Sequence, residues 1–190
     1  MILPITAYGH PILRKVAVDI DKDYPGLDHL IEDMFETMYA SSGVGLAAPQ
    51  INRSIRLIVI DASPFEDEYP ETKDFKRVFI NAKMMDENGE EWPFNEGCLS
   101  IPDIREEVQR KPKIRITYYD ENWEFHDEVY DSVMARILQH EYDHLEGVLF
   151  VDKINSIRKM LLKRKLQDIS KGNINVEYKM IFPNKKKGRK

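Results

Sequence analysis

The segment HEYDH, from His140 to His144, most restricts what this chain can fold into. On a helix at about 100° per residue, these two histidines lie one turn apart on the same face, so both imidazoles can reach one metal ion. Val133 and Ile137 fall on the same stripe, which predicts that the ligands point inward from an apolar face. Glu141 is placed where it can contact a water molecule at the metal. The sequence therefore predicts a helix that carries a buried hydrolytic metal site.

A third ligand decides the class of such a site, since catalytic metal sites usually combine three protein ligands with an open position. Metzincins place a third histidine where this chain has Phe150, and no histidine follows His144. The candidates for a thermolysin-like ligand are Glu146, on the wrong side of the same helix, and Glu177, in a basic tail. Upstream, Cys98 in the segment EGCLS follows a glycine in a predicted loop and can supply a thiolate. A lone cysteine is otherwise a small buried hydrophobic residue.

The segment GVGLAAPQ, from Gly43 to Gln50, has the glycine spacing of a dinucleotide-binding turn. Such a turn needs a strand before the glycines and a helix after them, whereas here a helix precedes and Pro49 and a strand follow. The nucleotide interpretation is therefore rejected. What remains is a turn that brings backbone close to a bound group and presents the Gln50 amide as a donor, or a structural turn with an exposed glutamine.

Length and cysteine content limit the class of protein further. The 190 residues are enough for one compact domain, alone or with a tail. No apolar run approaches the roughly 20 residues that cross a bilayer, and the N-terminal segment does not have the pattern of a signal peptide. A single cysteine cannot form an internal disulfide. We expect a protein that stays in the cytoplasm and has no membrane partner.

Charge is unevenly distributed along the chain. Residues 1–152 contain 15 Lys and Arg against 31 Asp and Glu, whereas residues 153–190 contain 13 against 2. The acidic part repels nucleic acid, but the basic segment, which ends in PNKKKGRK, can attract phosphate backbones by releasing counterions. We expect a catalytic domain over residues 1–152 and a basic C-terminal helix and tail over residues 153–190. The alternative for the tail is a solvated, solubilising segment.

Apolar periodicity predicts three helices and four strands. The helices are expected from Leu27 to about Ser42, from Asp131 or Ser132 to Gly147, and from about Asn155 to Ser170. The third helix is expected to bury Ile157, Leu161, Leu162, Leu166 and Ile169. The strands are expected at Ile55–Ile60, Arg77–Ile80, Lys113–Tyr119 and Glu124–Tyr130. This order indicates an α+β fold, in which antiparallel strands pack around a central metal-binding helix and a C-terminal helix follows.

Taken in order, GVGLAAPQ, EGCLS and HEYDHLEG resemble the three motifs of the peptide deformylase family. The resemblance covers nearly all of residues 1–152, including the N-terminal GHPILRK, and weakens after about Lys153. Enzymes of this family remove the formyl group from the N-terminal formylmethionine of newly synthesised proteins and release formate. The resemblance therefore implies N-formylmethionyl nascent peptides as substrates.

The resemblance also implies a role for each motif residue. It makes Glu141 the proton acceptor and then the proton donor, with the Gln50 amide and the Leu99 N–H as donors to the carbonyl oxygen. The metal in the family is typically Fe2+, and Zn2+, Ni2+ or Co2+ can occupy the site. The implied metal ligands are Cys98, His140 and His144. The implied pocket for the methionine side chain includes Val44, Gly45, Ile101, Val133 and Ile137.

Several points remain open at the level of sequence. A cysteine and two histidines suit zinc as well as iron, so the donor set does not choose the metal. Arg136 departs from the apolar residue common in the best-known bacterial members of the family, and is expected either to rim the pocket or to be a surface arginine. The basic segment is compatible with docking on the ribosome. The alternatives to a deformylase are another metalloamidase, or a ribosome-associated metal-binding module without catalysis.

Overall fold

The computed structural model describes residues 1–183, so the terminal lysine run of residues 185–187 lies outside the described residues. Three α-helices are α1 (Leu27–Ala40), α2 (Ser132–Leu145) and α3 (Ser156–Lys171). The strands are β1 (Ile5–Thr6), β2 (Gly45–Ala47), β3 (Leu57–Asp61), β4 (Lys76–Asn88), β5 (Trp92–Cys98), β6 (Ile101–Arg110), β7 (Lys113–Tyr119), β8 (Phe125–Asp131) and β9 (Met180–Ile181).

The main sheet has five antiparallel strands in the order β2-β3-β4-β7-β8. Strand β3 is apolar on both faces, because Leu57 and Val59 pack in the cluster that contains α1 while Ile58 and Ile60 pack in the cluster that contains α2. A strand covered on both sides reads as a continuous apolar run. A second sheet is the hairpin β5–β6, and β1 pairs in parallel with β9. The expected α+β fold, with α2 at its centre and α3 following, is confirmed.

Helix α2 ends close to where the sequence predicts. Asp131 is its N-cap, the last helical residue is Leu145, and Gly147 adopts a left-handed conformation with φ of 71°. A Cβ at Gly147 would come within 2.7 Å of the Arg14 backbone, so both the conformation and the close approach require glycine. The end of α2 is therefore locked against the N-terminal segment, which fixes the direction of the helix in the core.

The hairpin β5–β6 was not predicted. The segment EGCLS is not a loop, because Cys98 is the last residue of β5 and only Leu99 and Ser100 separate the two strands. Pro93 and Pro102 concealed the alternating pattern of these strands. Proline is tolerated here because both strands of a two-stranded sheet are edge strands. The metal-ligand candidate Cys98 is thus held by a strand rather than by a flexible loop.

Helix α3 buries less than its periodicity predicts. Leu162, Leu166 and Ile169 are buried, but Ile157 and Leu161 are 65% and 64% exposed, so the prediction for these two is wrong. The helix packs on the body through one narrow stripe, and the remaining apolar side chains face away from it. The Arg158 guanidinium adds a bidentate ion pair to Glu106 of β6, with N–O distances of 3.0 and 2.7 Å.

Asp152 joins the N-terminal segment to the start of α3. Its carboxylate accepts hydrogen bonds from Arg14, from the Leu149 N–H at 2.9 Å and from Lys159 at 3.1 Å. Burial alone would raise the pKa of this carboxyl, but the donors outweigh it and lower the pKa from 3.8 to about 2. Since the pKa is lower in the folded state, ionised Asp152 stabilises the fold above about pH 4, and this contribution is lost as the pH falls towards 2.

The substitution Asp152→Asn is expected to lower the free energy of unfolding by about 1–2 kcal/mol at pH 7, because it removes the charge that the three donors stabilise. Urea denaturation of both proteins between about pH 7 and pH 3 measures the effect, and the difference should shrink at the acid end. Asp67→Asn, at an exposed position, is the matched control. Equal stability of wild type and Asp152→Asn at pH 7 would contradict the assignment.

Candidate metal centre and active-site cleft

Three side chains that can bind a metal meet between β5 and α2. Cys98 ends the strand, and His140 and His144 lie one turn apart on the helix. One ligand atom from each lies within 4.8 Å of the other two, and the Cys98 Sγ is 3.3 Å from the His144 Nε2. Both histidines are buried. A thiol with two imidazoles suits the divalent metals of mononuclear sites, so the donor chemistry fits a bound metal ion.

Glu96 orients one of these ligands. Its Oε2 lies 2.9 Å from the His140 Nδ1, which leaves the His140 Nε2 for the metal. The same carboxylate accepts hydrogen bonds of 2.7 and 3.0 Å from Arg110, which also donates to Asp143 at 2.7 Å. Burial would raise the pKa of Glu96, but the hydrogen bonds with His140 and Arg110 lower it overall. Glu96 therefore stays an anion that can hold the imidazole in one orientation.

Arg136 completes the set of charges around Glu96. Its guanidinium donates to the Glu96 Oε1 at 3.0 Å, to the Val108 carbonyl at 2.9 Å and to the Trp92 carbonyl at 2.6 Å. It also lies 4.8 Å from the centre of the Trp92 ring, and Arg136 is only 2% exposed. The expectation of a surface arginine is therefore wrong. Arg136 lines the cleft and connects α2 to the β5–β6 hairpin.

Glu141 is the buried acid next to the ligand cluster. Burial raises the pKa of its carboxyl to about 7, and within residues 1–183 no hydrogen-bond partner contacts its Oε2. Space for the carboxylate comes from Gly45 in β2, where a Cβ would lie 2.5 Å from the Glu141 Oε1 and 2.8 Å from its Cδ. A carboxyl group with such a pKa can exchange a proton near neutral pH.

Gln50 points its amide at the same cluster. It lies in the short helical turn Ala48–Ile51, and its Oε1 accepts the Ala47 N–H at 2.9 Å, which directs the Nε2 the other way. The Nε2 lies 3.4 Å from the Cys98 Sγ and 3.5 Å from the Ser100 Oγ. Gln50 is 1% exposed, so the alternative of an exposed glutamine is wrong. The Nε2 thus donates towards the position beside Cys98, where a bound group could replace these long contacts as acceptor.

These residues border a cleft of about 850 Å³. Val133 lies in the core behind the cleft and does not line it, and His144 is the deepest of the three ligand candidates. The residues predicted from sequence that do line the cleft are Val44, Gly45, Gln50, Cys98, Leu99, Ile101, Ile137, His140 and Glu141.

Further lining residues were not predicted as part of a site, chiefly Phe94, Glu96 and Tyr178. For Phe94 and Glu96 a signal exists, because residues two apart on a strand share a face and both alternate with Cys98. That signal is usable only once the segment is recognised as a strand. Tyr178 has no local signal, because it reaches the cleft from the far end of the chain.

A histidine pair on a helix, a cysteine thiol and a buried carboxyl group around an open cleft define the class of metal-dependent hydrolases. The family model described as polypeptide deformylase matches residues 2–160. The chain belongs to this family of enzymes, which remove the N-formyl group from newly synthesised peptides. The resemblance inferred from the three motifs is confirmed.

Similar proteins support the assignment over the whole length of the chain. The peptide deformylase of Christiangramia forsetii is 58% identical over 196 aligned positions that cover 100% of both chains. A crystal structure of a peptide deformylase from Legionella pneumophila has a TM-score of 0.78 at 36% identity, covering 91% of this chain and 98% of that one. A class I type b peptide deformylase from Acinetobacter baumannii, with Met-Ala-Ser bound, has a TM-score of 0.73 at 34% identity, covering 81% and 99%.

Among the helices of residues 1–183, none combines the length and the hydropathy that a membrane-spanning segment needs.

Proposed function

We propose that this cleft deformylates the N-terminal formylmethionine of nascent peptides with Cys98, His140 and His144 as its metal ligands. The observation that carries the proposal is the position of Gln50, whose amide nitrogen lies 3.4 Å from the Cys98 Sγ. A hydrogen-bond donor and a buried carboxyl group thus line the same cleft as the cluster of three ligand atoms. This is the arrangement that hydrolysis of an amide requires.

The proposed metal is Fe2+, with Zn2+, Ni2+ or Co2+ as substitutes. When bound, the metal ion supplies Lewis acidity, which favours deprotonation of water and polarises a carbonyl oxygen. The Glu96 carboxylate supports His140 as a metal ligand. It contacts the His140 ring at Nδ1 and leaves the opposite ring nitrogen for coordination. The choice of iron follows the family resemblance, since the donor set also suits zinc.

Glu141 moves the proton in this mechanism. Its carboxylate accepts a proton from the attacking water as the new C–O bond forms at the formyl carbon. It then delivers that proton to the amine nitrogen as the C–N bond breaks, so formate and a free N-terminus leave. A pKa of about 7 suits both steps, because a carboxyl group with this pKa can accept and release a proton at neutral pH.

Gln50 and the backbone N–H of Leu99 stabilise the charge that develops on the carbonyl oxygen. Gln50 is preorganised, since the Ala47 N–H holds the other end of its amide at 2.9 Å. Leu99 directly follows the proposed ligand Cys98 in the tight connection between β5 and β6. Donors that are already in place when charge develops stabilise a transition state without reorganisation.

The apolar part of the cleft binds the methionine side chain. Val44, Gly45, Ile101 and Ile137 line this part, and Val133 supports it from the core. The volume of about 850 Å³ exceeds that of one side chain and leaves room for the following peptide residues. The tripeptide Met-Ala-Ser bound to the Acinetobacter baumannii enzyme is the product that such a cleft would release.

Formate release from formyl-Met-Ala-Ser tests the function directly. Protein prepared without oxygen and loaded with Fe2+ is expected to release formate from this peptide and to leave acetyl-Met-Ala-Ser intact. Release of acetate at a similar rate would instead indicate a broader metalloamidase. Stoichiometric metal without any hydrolysis would favour a metal-binding module and overturn the proposal.

The iron proposal predicts sensitivity to air. Activity of the Fe2+ form is expected to decay in air and to persist under nitrogen, because a thiolate-ligated ferrous centre is oxidised by oxygen. Parallel measurement of the Ni2+ form provides the control, since nickel in this state is not readily oxidised. Equal decay of both forms would place the sensitivity elsewhere, and stable activity of the Fe2+ form in air would contradict a ferrous enzyme.

The proposed location is the cytoplasm, where nascent formylated chains are made. Residues 153–190, which pack against the catalytic residues 1–152 through α3 and β9, carry the basic charge that would associate with ribosomal RNA. The exposed apolar residues of α3 add a surface that does not pack against the rest of the protein.

Co-sedimentation with ribosomes is expected to weaken with salt and with replacement of Lys185, Lys186 and Lys187 by glutamine. Unchanged co-sedimentation of that variant would contradict the proposal.

A further inference from the structure

The chain returns to the cleft after α3. Gly172 ends the helix in a left-handed conformation with φ of 77°, and the chain then runs back towards the N-terminal strand. Strand β9 pairs in parallel with β1, and hydrogen bonds of 2.8 Å link the Ile5 N–H to the Lys179 carbonyl and the Ala7 N–H to the Ile181 carbonyl. Residues 175–178 therefore lie along the cleft and form part of its wall.

Tyr178 is the residue of this returning segment that contacts Leu99, in the turn between β5 and β6. Its hydroxyl donates a hydrogen bond of 2.8 Å to the carbonyl oxygen of Leu99. The ring packs in the same apolar cluster as the Leu99 side chain and is half-buried. Burial and the neighbouring Cys98 and Asp103 raise the pKa of the phenol, so its hydroxyl keeps the donated proton.

The connection between β5 and β6 depends on such contacts. Cys98 pairs with Ile101, so Leu99 and Ser100 form a turn outside the pairing, and the register shift between Gly97 and Cys98 leaves residues 102–104 of β6 without partners on β5. Two groups outside the hairpin donate hydrogen bonds to the carbonyl oxygens of these two residues. The Tyr178 hydroxyl donates to Leu99, and the Tyr8 N–H donates to Ser100 at 2.9 Å. Peptide planes are rigid and each residue has only two free backbone torsions. Because the Leu99–Ser100 peptide is held at its carbonyl and Cys98 is held by its pairing with Ile101, the direction of the Leu99 N–H between them is restricted.

We infer that Tyr178 is a positioning residue for deformylation, which fixes the Leu99 backbone and thereby aims the Leu99 N–H at the reacting carbonyl. This inference rests on the proposed role of Leu99. In this role, the segment after α3 contributes to catalysis as well as to the wall of the cleft. The effect is on the transition state, where the oxyanion needs its donors, rather than on the binding of the methionine side chain.

The variant Tyr178→Phe isolates the hydroxyl, because it keeps the ring and its packing. In the full-length, metal-loaded protein acting on formyl-Met-Ala-Ser, kcat is expected to fall about 3- to 10-fold, the usual effect of losing one neutral hydrogen bond. KM should stay within about twofold, since the pocket residues are untouched. Metal content should equal that of the wild type.

The matched control is Tyr118→Phe. Tyr118 is buried in β7, outside the cleft, and its hydroxyl donates to Glu128 at 2.7 Å. This variant loses a hydrogen bond of similar length and is expected to lose thermal stability without a change in kcat. If Tyr178→Phe behaves in the same way, with a lower Tm and wild-type kcat, its hydroxyl is structural only and the inference is overturned.

A second measurement separates this inference from the proposed function. Hydrogen exchange of peptides spanning residues 98–101, followed by mass spectrometry, does not depend on turnover. Faster exchange there in Tyr178→Phe, but not in Tyr118→Phe, is expected together with the lower kcat. Unchanged exchange overturns the positioning role even if the wild type is an efficient deformylase. A wild type that retains metal and releases no formate overturns the proposed function and, with it, the role assigned to Tyr178.

Discussion

Replacing Glu141 by alanine is expected to reduce formate release by at least about 10²-fold while leaving the metal bound. The Glu141 carboxyl group transfers the proton in the proposed mechanism, and burial raises its pKa to about 7. Glu141 does not belong to the cluster of three metal-ligand residues. Its loss removes proton transfer without removing a metal–ligand bond. Steady-state kinetics on formyl-Met-Ala-Ser and metal analysis of the same preparation measure the two effects separately.

The control for this variant is Glu32→Ala, on the exposed side of α1. It makes the same chemical change outside the cleft and is expected to retain wild-type kcat. Substantial turnover by Glu141→Ala would remove Glu141 from its role in proton transfer. Loss of metal in the same variant would mean that Glu141 acts on the ligands instead, and would contradict the separation of roles proposed above.

The substitution Gly45→Ala is expected to lower kcat by about 10- to 10²-fold. A Cβ at this position would lie 2.5 Å from the Glu141 Oε1, which is closer than atoms can approach, so the carboxylate must move. Displacement of a reacting group by about 1 Å can cost this much in rate. The displaced Glu141 is tightly packed, so the Tm is also expected to fall by a few degrees.

Gly97→Ala provides the comparison for Gly45→Ala. The atoms nearest to its Cβ would belong to the flexible side chain of Arg105, at 3.3 Å and beyond, so the change in kcat should be at most a few fold. Crystallographic analysis of Gly45→Ala should place the Glu141 carboxylate away from its wild-type position. If Gly45→Ala instead keeps wild-type kcat, the cleft has room for the extra methyl group and the close approach of β2 to Glu141 has no catalytic consequence.

Helical spacing carried most of what the sequence revealed about the site. His140 and His144 were placed on one face from their separation of four residues, and Gly147 marked the end of the same helix. These inferences needed no knowledge of the fold, because the geometry of a helix is set within a few residues. The same reasoning failed for Ile157 and Leu161, because periodicity shows which residues share a face but not how wide a face the body covers.

The burial of Arg136 could not be predicted from the residues near it in the sequence. Its position on α2, one turn before His140, was evident, but the sequence left both a pocket rim and an exposed surface open. The structure buries it because Glu96 of β5 lies opposite and supplies a carboxylate at 3.0 Å. A buried arginine is stable only with such a partner, and the partner comes from a hairpin that the prolines had concealed.

Residue types and their spacing along the chain already indicate the class of chemistry: a helix with two inward histidines and an adjacent glutamate, a cysteine able to serve as third ligand, and a glycine-rich turn ending in Gln50. The groups that orient these residues come from distant parts of the chain, and they are brought there by the packing of the fold. Glu96 reaches His140 across 44 residues of chain, and Tyr178 reaches Leu99 across 79. Such contacts depend on how strands and helices pack, whereas spacing within a helix depends only on the covalent geometry of the backbone.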